Sequence, residues 1–303
     1  MAELSVKFAG LTLKNPVVTV SGTCGFGEEY APFYKASELG AIAVKGMTLA
    51  PRDGNPPPRI AETPAGILNS IGLQNPGVDA FIAKELPRLK AEGATVIANI
   101  SGSTIADYCR VAEKLSETPV DFIEMNISCP NVKEGGVAFG TNARTINEIT
   151  SEVKAHSKKP VIVKLSPNVT DITEMARAAE AGGADALSLI NTLLGMRIDI
   201  RTRRPILHNN VGGLSGPAVF PVAVRMVWQV RNAVKLPILG MGGISSVEDA
   251  VEMLIAGADV IGVGTSMFAN PYLPIEIIEG LNKYLDENGI ESVSELSATC
   301  KPW

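Results

Sequence analysis

Residues 160–192 read PVIVKLSPNVTDITEMARAAEAGGADALSLINT. The two ends, 160–166 and 186–192, are short apolar runs rich in branched side chains. The middle, ITEMARAAEAGG (172–183), carries apolar residues at helical spacing. It closes on a glycine pair that suits a left-handed helix cap. Strand, helix, strand is the simplest reading. Strands that are apolar almost throughout must be covered on both faces, and helices between them make them parallel. The same unit recurs along the chain. Further candidate strands are NPVVTVSG (15–22), AIAVKGM (41–47), TVIANIS (95–101), DFIEMNIS (121–128), PILGMGG (237–243) and DVIGVGTS (259–266). Helix-like stretches include EEYAPFYKASELG (28–40), VDAFIAKELPRLKAEG (78–93) and NEITSEVKAHS (147–157). Eight such units in 303 residues fit an α/β fold of the closed (β/α)8 TIM-barrel type better than an open doubly wound sheet.

Three features lie outside the repeat. SVKFAGLTLKNP (5–16) reads as an N-terminal hairpin turning at Ala9-Gly10 and closing the barrel bottom. Long connections follow strands 2 (48–76), 4 (from Cys129) and 6 (193–216). Loops of such length in a compact domain carry function. With no low-complexity linker or charge block, residues 1–303 are expected to form a single domain.

Bulk properties exclude several classes. Charged residues make up 19% and apolar residues 46% of the chain, and the net charge is −5. Without a long basic run there is no electrostatic case for nucleic acid or a membrane surface. The opening MAELSVKFAG has neither the basic nor the apolar region of a signal peptide, and no apolar run reaches spanning length. A cytoplasmic location is expected. Cys24, Cys109, Cys129 and Cys300 are widely spaced, which argues against an iron–sulfur cluster or zinc site. Only two histidines, His156 and His208, occur, both in polar surroundings, so histidine-based catalysis is not expected.

The polar residues gather at the strand ends. In order they are Ser21, Lys45, Asn99, Asn126 with Cys129 beyond it, Lys164, and Asn191 with Thr192. Lysine and asparagine are costly inside a barrel unless paired, and the C-terminal strand ends are where barrel active sites lie. Strands 7 and 8 instead end in LGMGGISS (239–246) and GVGTSMF (262–268). Exposed amides at those two loops suit a phosphate, and GGLSG (212–216) offers another close approach. GTCGFG (22–27) does not have dinucleotide spacing, so the phosphate belongs to FMN, PLP or a sugar phosphate rather than to a nicotinamide.

Lys164 has three readings: a cation beside a reduced flavin, a Schiff-base nucleophile, or a salt-bridged core residue. Asn69, Asn126, Asn131 and Asn191 offer donor–acceptor pairs to a flat, amide-rich ring, and NSIGLQN (69–75) adds backbone groups. Asn75 and Asn210 read as turn residues. Cys24, Cys109 and Cys300 read as small buried apolar residues. Cys129, between a strand end and Pro130, reads as a thiol able to take a proton from carbon without a histidine.

The stretches EMNISCPNVKEGG (124–136), PRDGNPPPRIAETPAGILNSIGLQNPG (51–77), VIVKLSPN, SLINT, GGLSGPA and GMGGI together resemble the class 1 dihydroorotate dehydrogenases over nearly the whole chain. That resemblance implies an FMN-holding barrel that oxidises dihydroorotate to orotate in pyrimidine synthesis. It assigns Cys129 as the base. It assigns FMN contacts to Ser21, Lys45, Gly46, Asn99, Asn126, Lys164, Ile190, Gly216, Gly242, Gly243, Gly264 and Thr265. It assigns substrate contacts to Lys45, Asn69, Ser70, Ile71, Gly72, Leu73, Asn126, Asn131, Asn191 and Thr192. VSGTCGFGEEYAPF and NVKEGGVAFGTN resemble the NAD-linked class 1B rather than the fumarate-using class. This implies a partner subunit carrying FAD and a [2Fe–2S] cluster, in a heterotetramer of two catalytic and two electron-transfer subunits. The alternatives are a fumarate-using class 1A type and, in another class, a lysine Schiff-base lyase.

Overall fold

The computed structural model describes residues 2–127 and 139–303. Eight parallel strands close into a barrel in chain order: β1 (Val17–Thr19), β2 (Ala41–Ala43), β3 (Val96–Ile100), β4 (Phe122–Asn126), β5 (Val161–Lys164), β6 (Ala186–Leu189), β7 (Ile238–Met241) and β8 (Val260–Val263). Nearly every strand residue is buried. One side of each strand fills the barrel and the other meets the helices, which is why the runs are apolar throughout.

The N-terminal hairpin forms as expected, with Val6–Phe8 paired to Leu11–Leu13. Ala9 and Gly10 both have positive φ (44° and 87°), the requirement of a two-residue turn matching strand twist. Phe8 and Leu13 are buried, and Phe8 meets Phe122, the first residue of β4, edge-on. The hairpin therefore plugs the end of the barrel where the strands begin.

That end is also clamped by a repeated device. Asp121, Asp185 and Asp259 each stand immediately before a strand. Each accepts the first amide of the preceding strand: Val96 at 2.7 Å, Val161 at 2.6 Å and Ile238 at 2.8 Å. Each carboxylate also binds a cation from the helix that leads into that preceding strand, respectively Lys90, Lys154 and Arg231. Charge at the barrel bottom is thus spent on closing strands, which leaves the opposite end for chemistry.

Two helix expectations need correction. EEYAPFYKASELG is not an α-helix; only short 3-10 turns form, at Glu28–Tyr30 and Ala36–Glu38. Pro32 lacks an amide hydrogen, and its ring would strike the Glu28 carbonyl in a regular helix. VDAFIAKELPRLKAEG is helical, but Phe81–Glu85 forms a wide π turn before Leu86–Ala91. Pro87 again explains the break, because it cannot bond to the Ala83 carbonyl. The other expected helices form, at Ala143–His156 and Ile172–Ala181.

The connections after β2 and β6 are not independent loops. Ile60–Thr63, Gly66–Asn69, Gly212–Ser215 and Leu193–Gly195 join in one antiparallel sheet, in that spatial order. The expected connection after β4 begins at Cys129, and residues 128–138 lie outside the described residues.

Candidate functional site

Inside the barrel, the polar residues expected at strand ends are held by one that the sequence reading passed over. Glu124 on β4 is fully buried. It accepts hydrogen bonds from Asn99 Nδ2 on β3 and from Ser188 Oγ on β6, the latter at 2.7 Å. Lys164 Nζ on β5 lies 3.8 Å from the same carboxylate. The register explains the grouping: Asn99 is level with Glu124, and Lys164 is level with both Asn126 and Ser188. A buried carboxylate that satisfies two donors and a cation fixes all three side chains. The signal was visible in FIEMN, whose single charged residue stands two places from Asn126 and so faces the same way.

One layer higher, Asn126 Oδ1 accepts from Asn191 Nδ2 at 3.2 Å. The hydroxyl of Tyr108, on helix Ile105–Ser116, donates to the Asn126 carbonyl at 2.7 Å. Asn191 Oδ1 accepts the Thr192 amide at 2.9 Å. Asn168, also unmarked by the sequence reading, donates to the Thr192 carbonyl and accepts from the Leu194 amide, both at 2.9 Å. The two amides and the start of the β6 connection therefore form one fixed rim.

The added sheet brings the β2 connection to that rim. Asn69 Nδ2 reaches the Gly213 carbonyl at 3.4 Å. A side chain at Gly213 would overlap Thr192, with a Cβ only 2.0 Å from its Oγ1, so glycine is required there. Asn55 holds the Ser70 carbonyl at 2.9 Å and the Ile71 carbonyl through its amide, also at 2.9 Å. Gly72 and Leu73 turn with φ of 77° and 57°. Asn75 is a buried clip, accepting from Thr48 and Gly77 amides. Asn210 turns with φ of 66°, so both asparagines serve turns as expected.

Lys45 stands beside this group. Burial first, and then the Arg59 guanidinium, push its ammonium below the ordinary lysine range, while Cys24 acts the other way. Two cations this close favour an anionic ligand. Arg59, another residue the sequence reading missed, is itself steadied by Gln74 and the Asn55 carbonyl. Burial pushes the neighbouring Cys24 thiol up to about 11, so it is not a thiolate at neutral pH.

The glycine loops converge as expected. Gly216, Gly242 and Gly243 have φ of 102°, 127° and 83°. A Cβ on Gly243 would lie 2.7 Å from the Gly216 carbonyl oxygen, and one on Gly242 would lie 2.9 Å from Ile190. Thr265 Oγ1 donates to Ser215 Oγ at 2.8 Å. Gly264 packs on Val20, next to Ser21. Gly46 sits against Asn99 Oδ1. The helix after β7, Val247–Ala256, starts beyond Ser245 and is capped by Ser246. The 3-10 turn Thr265–Phe268 after β8 does begin at the cradle.

These residues fit a flavin nucleotide. Among the described residues, the buried side-chain atoms without a hydrogen-bond partner include Ser70 Oγ, Asn99 Oδ1, Ser101 Oγ and Ser266 Oγ. All four belong to the mouth segments. Buried polar atoms normally find partners, so a ligand with polar groups at this end is the natural complement. Cys129 and Asn131 lie outside the described residues. Cys24 and Cys109 are buried as expected; Cys300 is not, because it falls in the exposed C-terminal tail. No helix among the described residues is long and apolar enough to cross a membrane.

Comparison with known proteins agrees with this geometry. The dihydroorotate dehydrogenase family model matches residues 3–285. The chain is 57% identical over 294 residues to the dihydroorotate dehydrogenase B (NAD(+)) catalytic subunit of Alkaliphilus oremlandii, covering 97% of each chain. It is 58% identical to the protein of the same name from Lachnoclostridium phytofermentans, covering 98% of this chain and 99% of that one. For the Bacteroides fragilis protein of that name the identity is 54%, with 98% of each covered.

Proposed function

The chain belongs to the dihydroorotate dehydrogenase family, and from that premise we propose that it is the catalytic subunit of an NAD-linked enzyme oxidising dihydroorotate to orotate. The observation that carries the reading is the buried Asn99–Glu124–Lys164–Ser188 network beneath the Asn126–Asn191 rim, opposite the glycine cradle. FMN would be held by Ser21, Lys45, Gly46, Asn99, Asn126, Lys164 and Ile190, with its phosphate on Gly216, Gly242, Gly243, Gly264 and Thr265. When bound, it supplies the acceptor for the hydride that leaves C6 of the substrate.

The chain's own residues do the rest. Lys45, stripped of water and next to Arg59, gains from the carboxylate of the bound acid. Asn69, Asn126, Asn131 and Asn191 match the ring's alternating donors and acceptors, and Thr192 with the backbone of residues 70–73 completes the cage. Cys129 removes the proton from C5, a role that rests on the family resemblance. Lys164, fixed by Glu124, serves as a stationary positive charge. A Schiff-base lysine must instead be released as a free amine, so the Glu124 pairing disfavours the lyase reading.

NAD would be reached through a partner subunit bearing FAD and a [2Fe–2S] cluster, two of each subunit per assembly. Purified with FMN, the chain is expected to be yellow and to bleach on adding dihydroorotate. NAD reduction should appear only when the iron–sulfur subunit is added. A colourless protein that cannot be loaded with FMN overturns the reading.

The β6 connection is expected to close over the bound acid. Its rim is fixed through Asn168, while Arg201 and Arg203, the tryptic sites at its tip, are exposed. Orotate at ten times its Kd should slow tryptic cleavage there roughly tenfold if cleavage needs the open form. An unchanged rate would count against closure.

A further inference from the structure

A second cluster lies on the outside of the barrel, between helices Ile105–Ser116 and Ala143–His156. Each helix contributes two residues one turn apart, Cys109 with Glu113 and Glu152 with His156, so each pair shares a face. The Cys109 sulfur, a Glu152 carboxylate oxygen and a His156 ring nitrogen all lie within 4.8 Å of one another. His156 Nε2 is 3.5 Å from Glu113 Oε1. The ring is already oriented, because Nδ1 sits 2.8 Å from the Glu152 carbonyl. With Nδ1 donating there, Nε2 is the ring nitrogen turned toward the Glu113 carboxylate. This is how a ligating histidine is held by its other nitrogen.

We propose that Cys109, Glu152, His156 and Glu113 form a zinc site that staples these two helices together. One sulfur, one imidazole and two carboxylates make up a four-ligand set of the kind zinc takes. A thiolate with an imidazole selects zinc over magnesium or calcium, which take oxygen ligands. Tetrahedral zinc spaces its ligand atoms roughly 3.5 Å apart, so the Cys109, Glu152 and His156 ligand atoms need to close by about an ångström, with Glu113 approaching from the His156 side. Glu152 is exposed and His156 partly so, and both can move that far. Burial first, and then the Glu152 and Glu113 carboxylates, disfavour the Cys109 thiolate; a bound zinc reverses that and releases the proton. The sequence hid this site because Cys109 and His156 are far apart along the chain. Parallel packing of neighbouring helices around the barrel brings them together.

The test uses the FMN-loaded full chain. Zinc competed against a chromophoric chelator should bind with one tight site per chain. At a hundredfold excess over Kd it should raise Tm by roughly 4–8 °C. Cobalt in its place should give a thiolate charge-transfer band that Cys109→Ser abolishes. Because Cys109 is buried, its variant could misfold. His156→Gln, at a half-exposed position, is the second probe and should weaken zinc at least a hundredfold. Cys300→Ser, in the tail, should change nothing. No tight zinc site, or equal zinc affinity in wild type and His156→Gln, would overturn the proposal.

Discussion

Cys129→Ala is expected to retain FMN and orotate while losing flavin reduction by dihydroorotate at neutral pH by about 10²–10⁴-fold, the range for removal of a general base. Substrate affinity should hold because, on the proposed reading, amides and Lys45 grip the ring, not the thiol. Cys129→Ser should recover a little of the rate. Serine is the weaker acid, so less of its ionised form exists at neutral pH, and the recovered rate should climb with pH. Stopped-flow absorbance of the flavin measures both variants directly. Reduction in the alanine variant at the wild-type rate would remove Cys129 as the base. Cys24 cannot stand in for it, since burial keeps its pKa at about 11.

Glu124→Ala should be among the most destabilising single changes in the barrel. The carboxylate is fully buried and satisfies Asn99, Ser188 and Lys164 together. Removing it deletes the acceptor of Asn99 and Ser188 and the anionic neighbour of Lys164, a loss of about 3–5 kcal/mol for a broken buried pair. Glu124→Gln should cost less. Asn99 Oδ1 has no partner among the described residues, so the Asn99 amide can flip and accept from the new side chain. The decisive measurement is a double-mutant cycle by denaturant unfolding of the flavin-free protein. Glu124→Leu with Lys164→Met should cost far less than the sum of the two single changes. Additive losses would mean that the two charges do not support one another and that the network is not a unit.

Much of the fold could be read from the chain. The eight strand runs are legible because a strand buried on both faces lacks the regular polar alternation of a half-exposed one, apart from a few residues such as Asn99, Glu124 and Lys164 that turn into the barrel. The hairpin turn is legible because Gly10 takes its positive φ at no steric cost between two short alternating runs, although Ala9 must take one as well. The cradle glycines are legible because a side chain at Gly216 or Gly243 would strike the opposing loop. Pro32 and Pro87 break helices whose flanking sequences carry helical spacing, because a proline has no amide to bond the carbonyl four residues back.

The chain's local chemistry decides strands, turns, and which residue types end each strand. Only the tertiary structure decided which of them meet. Glu124 looked like one acidic residue in a strand until barrel register placed Asn99 and Lys164 beside it. The connections after β2 and β6 looked like separate loops until hydrogen bonds between Gly66–Asn69 and Gly212–Ser215 made them one sheet over the mouth. Periodicity and turn chemistry act over a few residues and leave their mark in the chain. Pairing across more than a hundred residues is settled by register and closure, which local sequence does not encode.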